Sequence, residues 1–125
     1  MSSPKQKLLL VDDSVIVGKR INTILSELAF IEVLGQAIKG EEAMQMISDR
    51  IPDIILLDIN IPGSSGFDIL SWLSETYENI KVVMLSNHST IEYRNLAFSL
   101  GADHFLDKAT EFDKLPQLLL ELSKQ

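Results

Sequence analysis

The sequence contains no cysteine. A chain without thiols forms neither disulfide bonds nor thiolate metal sites, and its composition fits a reducing compartment. Long hydrophobic runs are also missing, since no apolar stretch approaches the ~20 residues that a membrane-spanning helix needs. The N-terminal segment MSSPKQK is polar and lacks the apolar region of a signal peptide. These absences favour a cytoplasmic protein that does not bind membranes.

Positive charge is scarce and scattered. The chain has 11 Lys and Arg against 18 Asp and Glu, and the basic residues form no stripe. Nucleic-acid binding normally requires a basic patch, so we expect no direct binding to nucleic acid. With 125 residues, 46% of them hydrophobic, the chain is long enough to bury the core of one domain. We expect a single domain over residues 1–125, with a flexible N-terminus over residues 1–6.

Apolar runs alternate with amphipathic stretches along the chain. Each of five short runs predicts a strand, and each is followed by apolar residues at helical spacing. The predicted strands cover residues 8–11, 31–37, 53–58, 81–86 and 104–106. The predicted helices cover about 14–28, 40–50, 67–75, 90–101 and 113–124. This alternation is typical of an α/β fold with a five-stranded parallel sheet and helices on both faces.

Two helix starts have more specific signals. Ser89 and Glu92 have the spacing of a capping box at the start of the fourth helix. Pro116 would disrupt the interior of the last helix, so we expect the regular helix to begin near Asp113 and to hold the proline in its first turn.

Polar side chains lie where the predicted strands end. Asp12 and Asp13 follow the first strand, Asp58 ends the third, Ser86 ends the fourth, and Lys108 follows the fifth. Ligands of such sheets bind beyond the carboxyl ends of the strands, so these side chains should converge. Each also has a simpler interpretation: a helix cap for the adjacent acids, a turn hydroxyl for Ser86, or a solvated surface lysine.

The charge balance of this set requires either bound protons or a divalent cation. Two carboxylates about 4 Å apart repel by about 4 kcal/mol at an effective dielectric of about 20, and one lysine offsets only one charge. Oxygen ligands without a neighbouring histidine or cysteine suit Mg²⁺. A carboxylate beside Mg²⁺, a lysine and a hydroxyl is suited to accepting a phosphoryl group.

Four motifs, VDD, PDIILLDINIPGSSGFDIL, VVMLSN and GADHFLDK, occur in this order. With them the chain resembles the response-regulator receiver domains of two-component signalling, over essentially its whole length. The resemblance implies a doubly wound, flavodoxin-like (βα)5 fold. It also implies a phosphoacceptor that catalyses only its own phosphorylation and dephosphorylation and switches a protein-binding surface. In length the chain resembles the single-domain chemotaxis regulators, although a receiver excised from a longer protein would look the same.

The resemblance also implies roles for individual residues. Asp58 would be the phosphoacceptor. Asp13 and Asp58 would bind Mg²⁺ directly, Asp12 would do so through water, and the backbone carbonyl of Asn60 would complete the set. Lys108 would pair with the phosphoryl group.

Switching would involve Ser86 and Phe105. The hydroxyl of Ser86 would move toward the phosphoryl group, and the ring of Phe105 would turn inward. Phe105 also has a plain interpretation as a core aromatic. Tyr93 and Phe98 are candidates for a partner-binding or dimerisation face formed by the fourth helix, the fifth strand and the last helix.

Some positions depart from the family pattern. Asn87 stands where receivers most often have alanine or glycine, and with Asn60 and His88 it could tune the rates of phosphorylation and hydrolysis. Ala109 follows Lys108 where many receivers have proline, so we expect a trans peptide bond there.

The resemblance names partners only by class. The phosphoryl donor would be a histidine kinase or a histidine phosphotransfer protein, and the output would be an unknown protein or domain. One alternative is a degenerate receiver that acts as a scaffold without phosphorylation. A dehalogenase-like phosphatase is disfavoured, because that family has a second acid at the position of Asn60.

Overall fold

A parallel sheet of five strands forms the centre of the computed structural model, which describes residues 4–88 and 90–124. The strands within these residues are β1 (Gln6–Val11), β2 (Ile31–Ala37), β3 (Ile54–Asp58), β4 (Asn60–Ile61), β5 (Ser64–Ser65), β6 (Lys81–Ser86) and β7 (His104–Asp107). The sheet has the order β2-β1-β3-β6-β7, and all its pairs are parallel. The direction of winding reverses between β1 and β3, which is where doubly wound sheets bind ligands.

Five helices cover the two faces of this sheet. They are α1 (Val15–Ser26), α2 (Gly40–Asp49), α3 (Gly66–Thr76), α4 (Ile91–Ser99) and α5 (Leu115–Ser123). One buried cluster contains residues of α2, α3 and α4, and a second contains residues of α1 and α5. Each strand of the five-stranded sheet contributes side chains to both clusters, which is why its residues are apolar on both faces. The predicted α/β architecture is therefore confirmed. Among the described residues, no helix is both long enough and apolar enough to cross a membrane.

The segment after β3 contains a hairpin that the periodicity did not predict. β4 and β5 pair in antiparallel fashion, and α3 begins directly after β5. Gly66 allows this close passage, since a Cβ there would lie 2.2 Å from the backbone oxygen of Asp58. Its backbone N–H donates to the oxygen of Ile59 at 2.6 Å, which ties the start of α3 to the end of β3.

Several predicted boundaries differ from the observed ones. The N-cap of α4 is Thr90, whose hydroxyl accepts from the backbone N–H of Tyr93, and Ser89 lies outside the described residues. A 3-10 turn covers Phe112–Lys114, so the α-helix begins at Leu115 rather than near Asp113. Pro116 does lie in the first turn, as predicted. β1 begins at Gln6, so that residue is not part of a flexible N-terminus, and residues 1–3 lie outside the description.

Candidate functional site

Four buried polar side chains meet at the carboxyl end of the sheet. Asp12 follows β1, Asp58 ends β3, Ser86 ends β6, and Lys108 follows β7. Their exposed fractions are 0%, 7%, 1% and 8%. Charged side chains are rarely buried to this degree unless they are paired. Asp13, the neighbour of Asp12, is exposed at the rim of the same site.

Lys108 connects the two buried carboxylates. Its Nζ lies 2.5 Å from Oδ2 of Asp12 and 3.2 Å from Oδ1 of Asp58. Oδ1 of Asp12 accepts the backbone N–H of Ser14 at 2.8 Å. The backbone N–H of Lys108 donates to the backbone oxygen of Ser86 at 2.9 Å, which fixes the loop that carries Lys108. The peptide bond from Lys108 to Ala109 is trans, as predicted.

The acidic group has the donor set of a magnesium site. Asp12, Asp13 and Asp58 each offer an oxygen, and these oxygens lie within 4.8 Å of one another. Three carboxylates and one ammonium leave a formal charge of −2. Oδ2 of Asp12 is buried, and the ammonium of Lys108 is its partner among the described residues. Hard oxygen donors with surplus negative charge fit a cation such as Mg²⁺.

The environment of Asp58 controls its protonation. Burial raises the pKa of Asp58 above its usual value, the Lys108 ammonium opposes this shift, and the Asp12 carboxylate adds to it. A hydrogen bond from the backbone of Asn60 also favours the ionised form. Further positive charge at the site would lower the pKa of Asp58, and an ionised carboxylate is the form that acts as a nucleophile.

An open cleft beside the acids is lined by Asp13, by the β4–β5 hairpin and by the residues between its strands. The side chain of Asn60 is exposed at this cleft. Asn87 and His88 are exposed at the end of β6. All three therefore have side chains accessible to solvent near the carboxyl end of the sheet.

The hydroxyl of Ser86 is engaged with the loop after β6. Its Oγ accepts the backbone N–H of His88 at 2.8 Å and donates to the backbone oxygen of the same residue at 3.2 Å. The imidazole ring of His88 lies 6.0 Å from the ring of Tyr93, which is the third residue of α4. A movement of the hydroxyl would therefore disturb the segment that leads into α4.

Phe105 is buried in β7, and a cation that sequence reasoning missed covers its ring. The guanidinium carbon of Arg94 lies 4.8 Å from the centre of the ring, and Nη1 donates to the backbone oxygen of Phe105 at 3.4 Å. Nη2 of Arg94 also pairs with Oε1 of Glu111 at 3.0 Å. Arg94 and Glu111 are 17 residues apart, so no local spacing could have revealed the pair.

The structure does not place Tyr93 and Phe98 on one face of α4. Five residues correspond to about 140° around an α-helix. Tyr93 stacks on Phe67 of α3 with ring centres 5.8 Å apart, whereas Phe98 is 49% exposed. Tyr93 therefore contacts α3, and Phe98 belongs to a different part of the helix surface.

Comparison with known proteins agrees with this geometry. The sequence model of the response regulator receiver domain family matches residues 8–120 of this chain. A protein-glutamate methylesterase/protein-glutamine glutaminase of Trichodesmium erythraeum is 36% identical over 98% of this chain and 35% of its own length. The chain spans only part of the curated relatives that it matches.

Solved structures extend the likeness to three dimensions. The receiver domain of Francisella response regulator 1452 has 28% identity and a TM-score of 0.88, with coverage of 96% of this chain and 98% of that one. A chain of the CheX–CheY–BeF3–Mg²⁺ complex of Borrelia burgdorferi has 27% identity and a TM-score of 0.87, with coverage of 95% and 90%. The chain belongs to the response regulator receiver domain family.

Proposed function

We propose that this chain is a phosphoacceptor of a two-component phosphorelay, in which Asp58 takes a phosphoryl group in the presence of Mg²⁺. The observation that carries the proposal is the buried group of Asp12, Asp58 and Lys108 at the reversal of the sheet, with Asp13 exposed beside it. Buried charges destabilise a fold unless they are well paired, so a site of this kind indicates a function.

The metal ligands in this proposal are Asp13 and Asp58 directly, Asp12 through water, and the backbone carbonyl of Asn60. The oxygens of the three carboxylates lie close enough together to share one ion. When bound, Mg²⁺ supplies positive charge that offsets the surplus of the carboxylates and of the incoming phosphoryl group. The histidine-free, cysteine-free donor set disfavours zinc or copper.

In the transfer, a carboxylate oxygen of Asp58 attacks the phosphorus of a phosphohistidine. A P–O bond forms, the P–N bond breaks, and its electron pair stays on the imidazole nitrogen. Lys108, already 3.2 Å from Asp58, pairs with a phosphoryl oxygen, and the hydroxyl of Ser86 donates to another. Asn60, Asn87 and His88 are proposed to tune the rates, because their side chains are exposed near the opening.

The switch follows from the present contacts of Ser86. A phosphoryl group adds up to about two negative charges and three acceptor oxygens, which attract the hydroxyl away from His88. The loop after β6 then rearranges, and the ring of Phe105 adjusts beneath Arg94. The change in contacts would appear at α4 and β7. Together with α5, these elements form the surface that we propose for an output partner or for dimerisation.

The phosphoryl donor in this proposal is a histidine kinase or a histidine phosphotransfer protein. The signal passes from this chain to an output protein or output domain. Receiver domains as a family interact with proteins of these classes. The Borrelia burgdorferi neighbour, a complex with CheX, BeF3 and Mg²⁺, supports both the cation and a protein partner. The cytoplasmic location and the lack of direct nucleic-acid binding stay predictions from the sequence.

Intact mass spectrometry tests the proposal. The chain is incubated with acetyl phosphate and Mg²⁺, and a single phosphoryl adduct is expected. The adduct should be lost in Asp58→Asn and in the presence of a chelator. Asp49→Asn, an exposed carboxylate of α2, is the matched control and should retain the adduct. Failure of both acetyl phosphate and a phosphorylated histidine protein as donors would favour the scaffold alternative.

A further inference from the structure

Gln36 of β2 reaches the segment that carries the two adjacent acids. Its Nε2 donates to the backbone oxygen of Asp12 at 2.7 Å and to that of Ser14 at 3.1 Å. These two carbonyls lie on either side of Asp13. A single side-chain amide thus holds the backbone before and after the exposed acid.

The residue next to Gln36 holds the same segment. The backbone N–H of Asp12 donates to the oxygen of Ala37 at 3.0 Å. Within the described residues, the carboxylate of Asp13 makes no hydrogen bond to another group. Its position therefore depends on the backbone of residues 12–14, and β2 fixes that backbone through Gln36 and Ala37.

Gly18 makes room for this amide. A Cβ built at position 18 would lie 2.1 Å from Oε1 of Gln36 and 2.9 Å from its Cδ. Gly18 is the fourth residue of α1, and glycine within a helix is disfavoured relative to alanine, so its presence there needs a reason. The end of a glutamine side chain is flexible, so alanine at position 18 would displace the amide from its two carbonyl partners rather than distort the backbone.

We propose that Gln36 is a positioning residue of the acceptor site, and that Gly18 provides the space it occupies. By holding the carbonyls of Asp12 and Ser14, Gln36 keeps Asp13 in the place where it binds Mg²⁺ together with Asp58. This inference rests on the proposed function. Groups that orient metal ligands in this way typically change metal affinity by about 10-fold to 100-fold when they are removed.

Titration calorimetry with Mg²⁺ on the unphosphorylated protein tests the inference. Gln36→Ala and Gln36→Met should each weaken Mg²⁺ binding about 10-fold. Methionine keeps the length of the side chain and loses only the amide donors. Gly18→Ala should weaken binding by the same factor, and the Gly18→Ala/Gln36→Ala double variant should be no weaker than either single one, because both changes remove the same contacts.

Phosphorylation supplies a second measurement. The Mg²⁺ concentration that gives half-maximal phosphorylation by acetyl phosphate should rise by the same factor in these variants, and the rate at saturating Mg²⁺ should recover. The control is Gln45→Ala, which removes an exposed amide contact to Asp49 on α2 and should bind Mg²⁺ like the parent chain. Thermal unfolding checks that each variant is folded. If Gln36→Ala is unfolded, the Mg²⁺ affinity of Gln36→Met is the test of the positioning role.

The outcomes separate the two levels of the proposal. If the parent chain itself binds no Mg²⁺, the proposed function fails. If the parent chain binds Mg²⁺ and Gln36→Met binds it equally well, Gln36 only fills space and the inference is overturned. Additive losses in the double variant would show that Gly18 acts independently of Gln36.

Discussion

Helices α4 and α5 are both nine residues long, yet they are held in different ways. The buried residues of α5 are four leucines, Leu115, Leu118, Leu119 and Leu122. In α4, all of whose residues are described, Ala97 is the one buried residue. The large apolar side chains of α4 that remain exposed are Ile91, Tyr93, Leu96 and Phe98.

Polar and aromatic contacts hold α4 in place, whereas apolar burial holds α5. Thr90 caps the helix, Tyr93 stacks on Phe67, and Arg94 contacts Phe105 and Glu111. Contacts of this kind contribute less than a buried leucine stripe, and regions with few buried apolar contacts open at lower free energy. Helix α5 is therefore anchored by apolar burial and α4 is held more weakly, and the loop from Ser86 leads to α4.

The largest expected difference is in side-chain truncation. Leu119→Ala should lower the free energy of unfolding by about 2–5 kcal/mol, because it removes a fully buried side chain. Leu96→Ala, the same change on α4 at a side chain that is 43% exposed, should stay within about 0.5 kcal/mol of the parent. Urea denaturation measures both. Equal losses would show that α4 is as firmly packed as α5.

Native-state hydrogen exchange sharpens the same contrast without a mutation. Backbone amides in the middle of α4 should exchange at least about tenfold faster than those in the middle of α5, a difference of about 1.4 kcal/mol in opening free energy. Equal protection in the two helices would contradict the weaker hold on α4.

The contacts of Arg94 provide a smaller effect. Arg94→Met should destabilise the protein by about 1 kcal/mol, since it removes a partly buried ion pair and the cation over Phe105. The matched control is Arg50→Met, which breaks an exposed pair with Glu32 and should cost less. If the two variants lose the same stability, the ring contact contributes nothing.

The smallest expected effect is a pH dependence that originates at Glu111. Three hydrogen bonds to the carboxylate of Glu111 lower its pKa to about 2. They come from the side chain of Lys114, the backbone N–H of Asp107 and the guanidinium of Arg94. A carboxylate with a lowered folded pKa adds stability that is fully present above its unfolded pKa of 4.5 and is lost as the pH falls toward 2. Glu111→Gln should therefore flatten this part of the curve of unfolding free energy between pH 2 and pH 5. An unchanged curve in that variant would assign the dependence to other groups.

The sequence predicted the sheet and the meeting of the acids well, because both depend on local patterns. Apolar runs marked the central strands, and Asp58 and Ser86 lie at the ends of their strands as expected. The hairpin of β4 and β5 was missed, since two-residue strands have no periodicity. The capping-box pattern pointed to Ser89, but the observed cap is the next hydroxyl, Thr90.

The contacts that Gln36 and Arg94 make with distant residues were beyond sequence reasoning. Gln36 is 24 residues from Asp12, and nothing in the sequence around either residue indicates the contact. Glycine has a low helix propensity, and the reason for Gly18 becomes visible only in the structure, where the amide of Gln36 lies against it. Side-chain packing between separate elements determines such contacts, and a single sequence does not record it.

Peptide-level mass spectrometry with hydrogen exchange, before and after treatment with acetyl phosphate and Mg²⁺, is the most direct test of the proposed link between Asp58 and α4. It locates the phosphoryl group and the changes in exchange in one experiment. We expect the adduct on the peptide that contains Asp58 and altered exchange across residues 90–99, with residues 115–123 unchanged. An adduct at another residue, or an equal change in α4 and α5, would contradict the proposed switch.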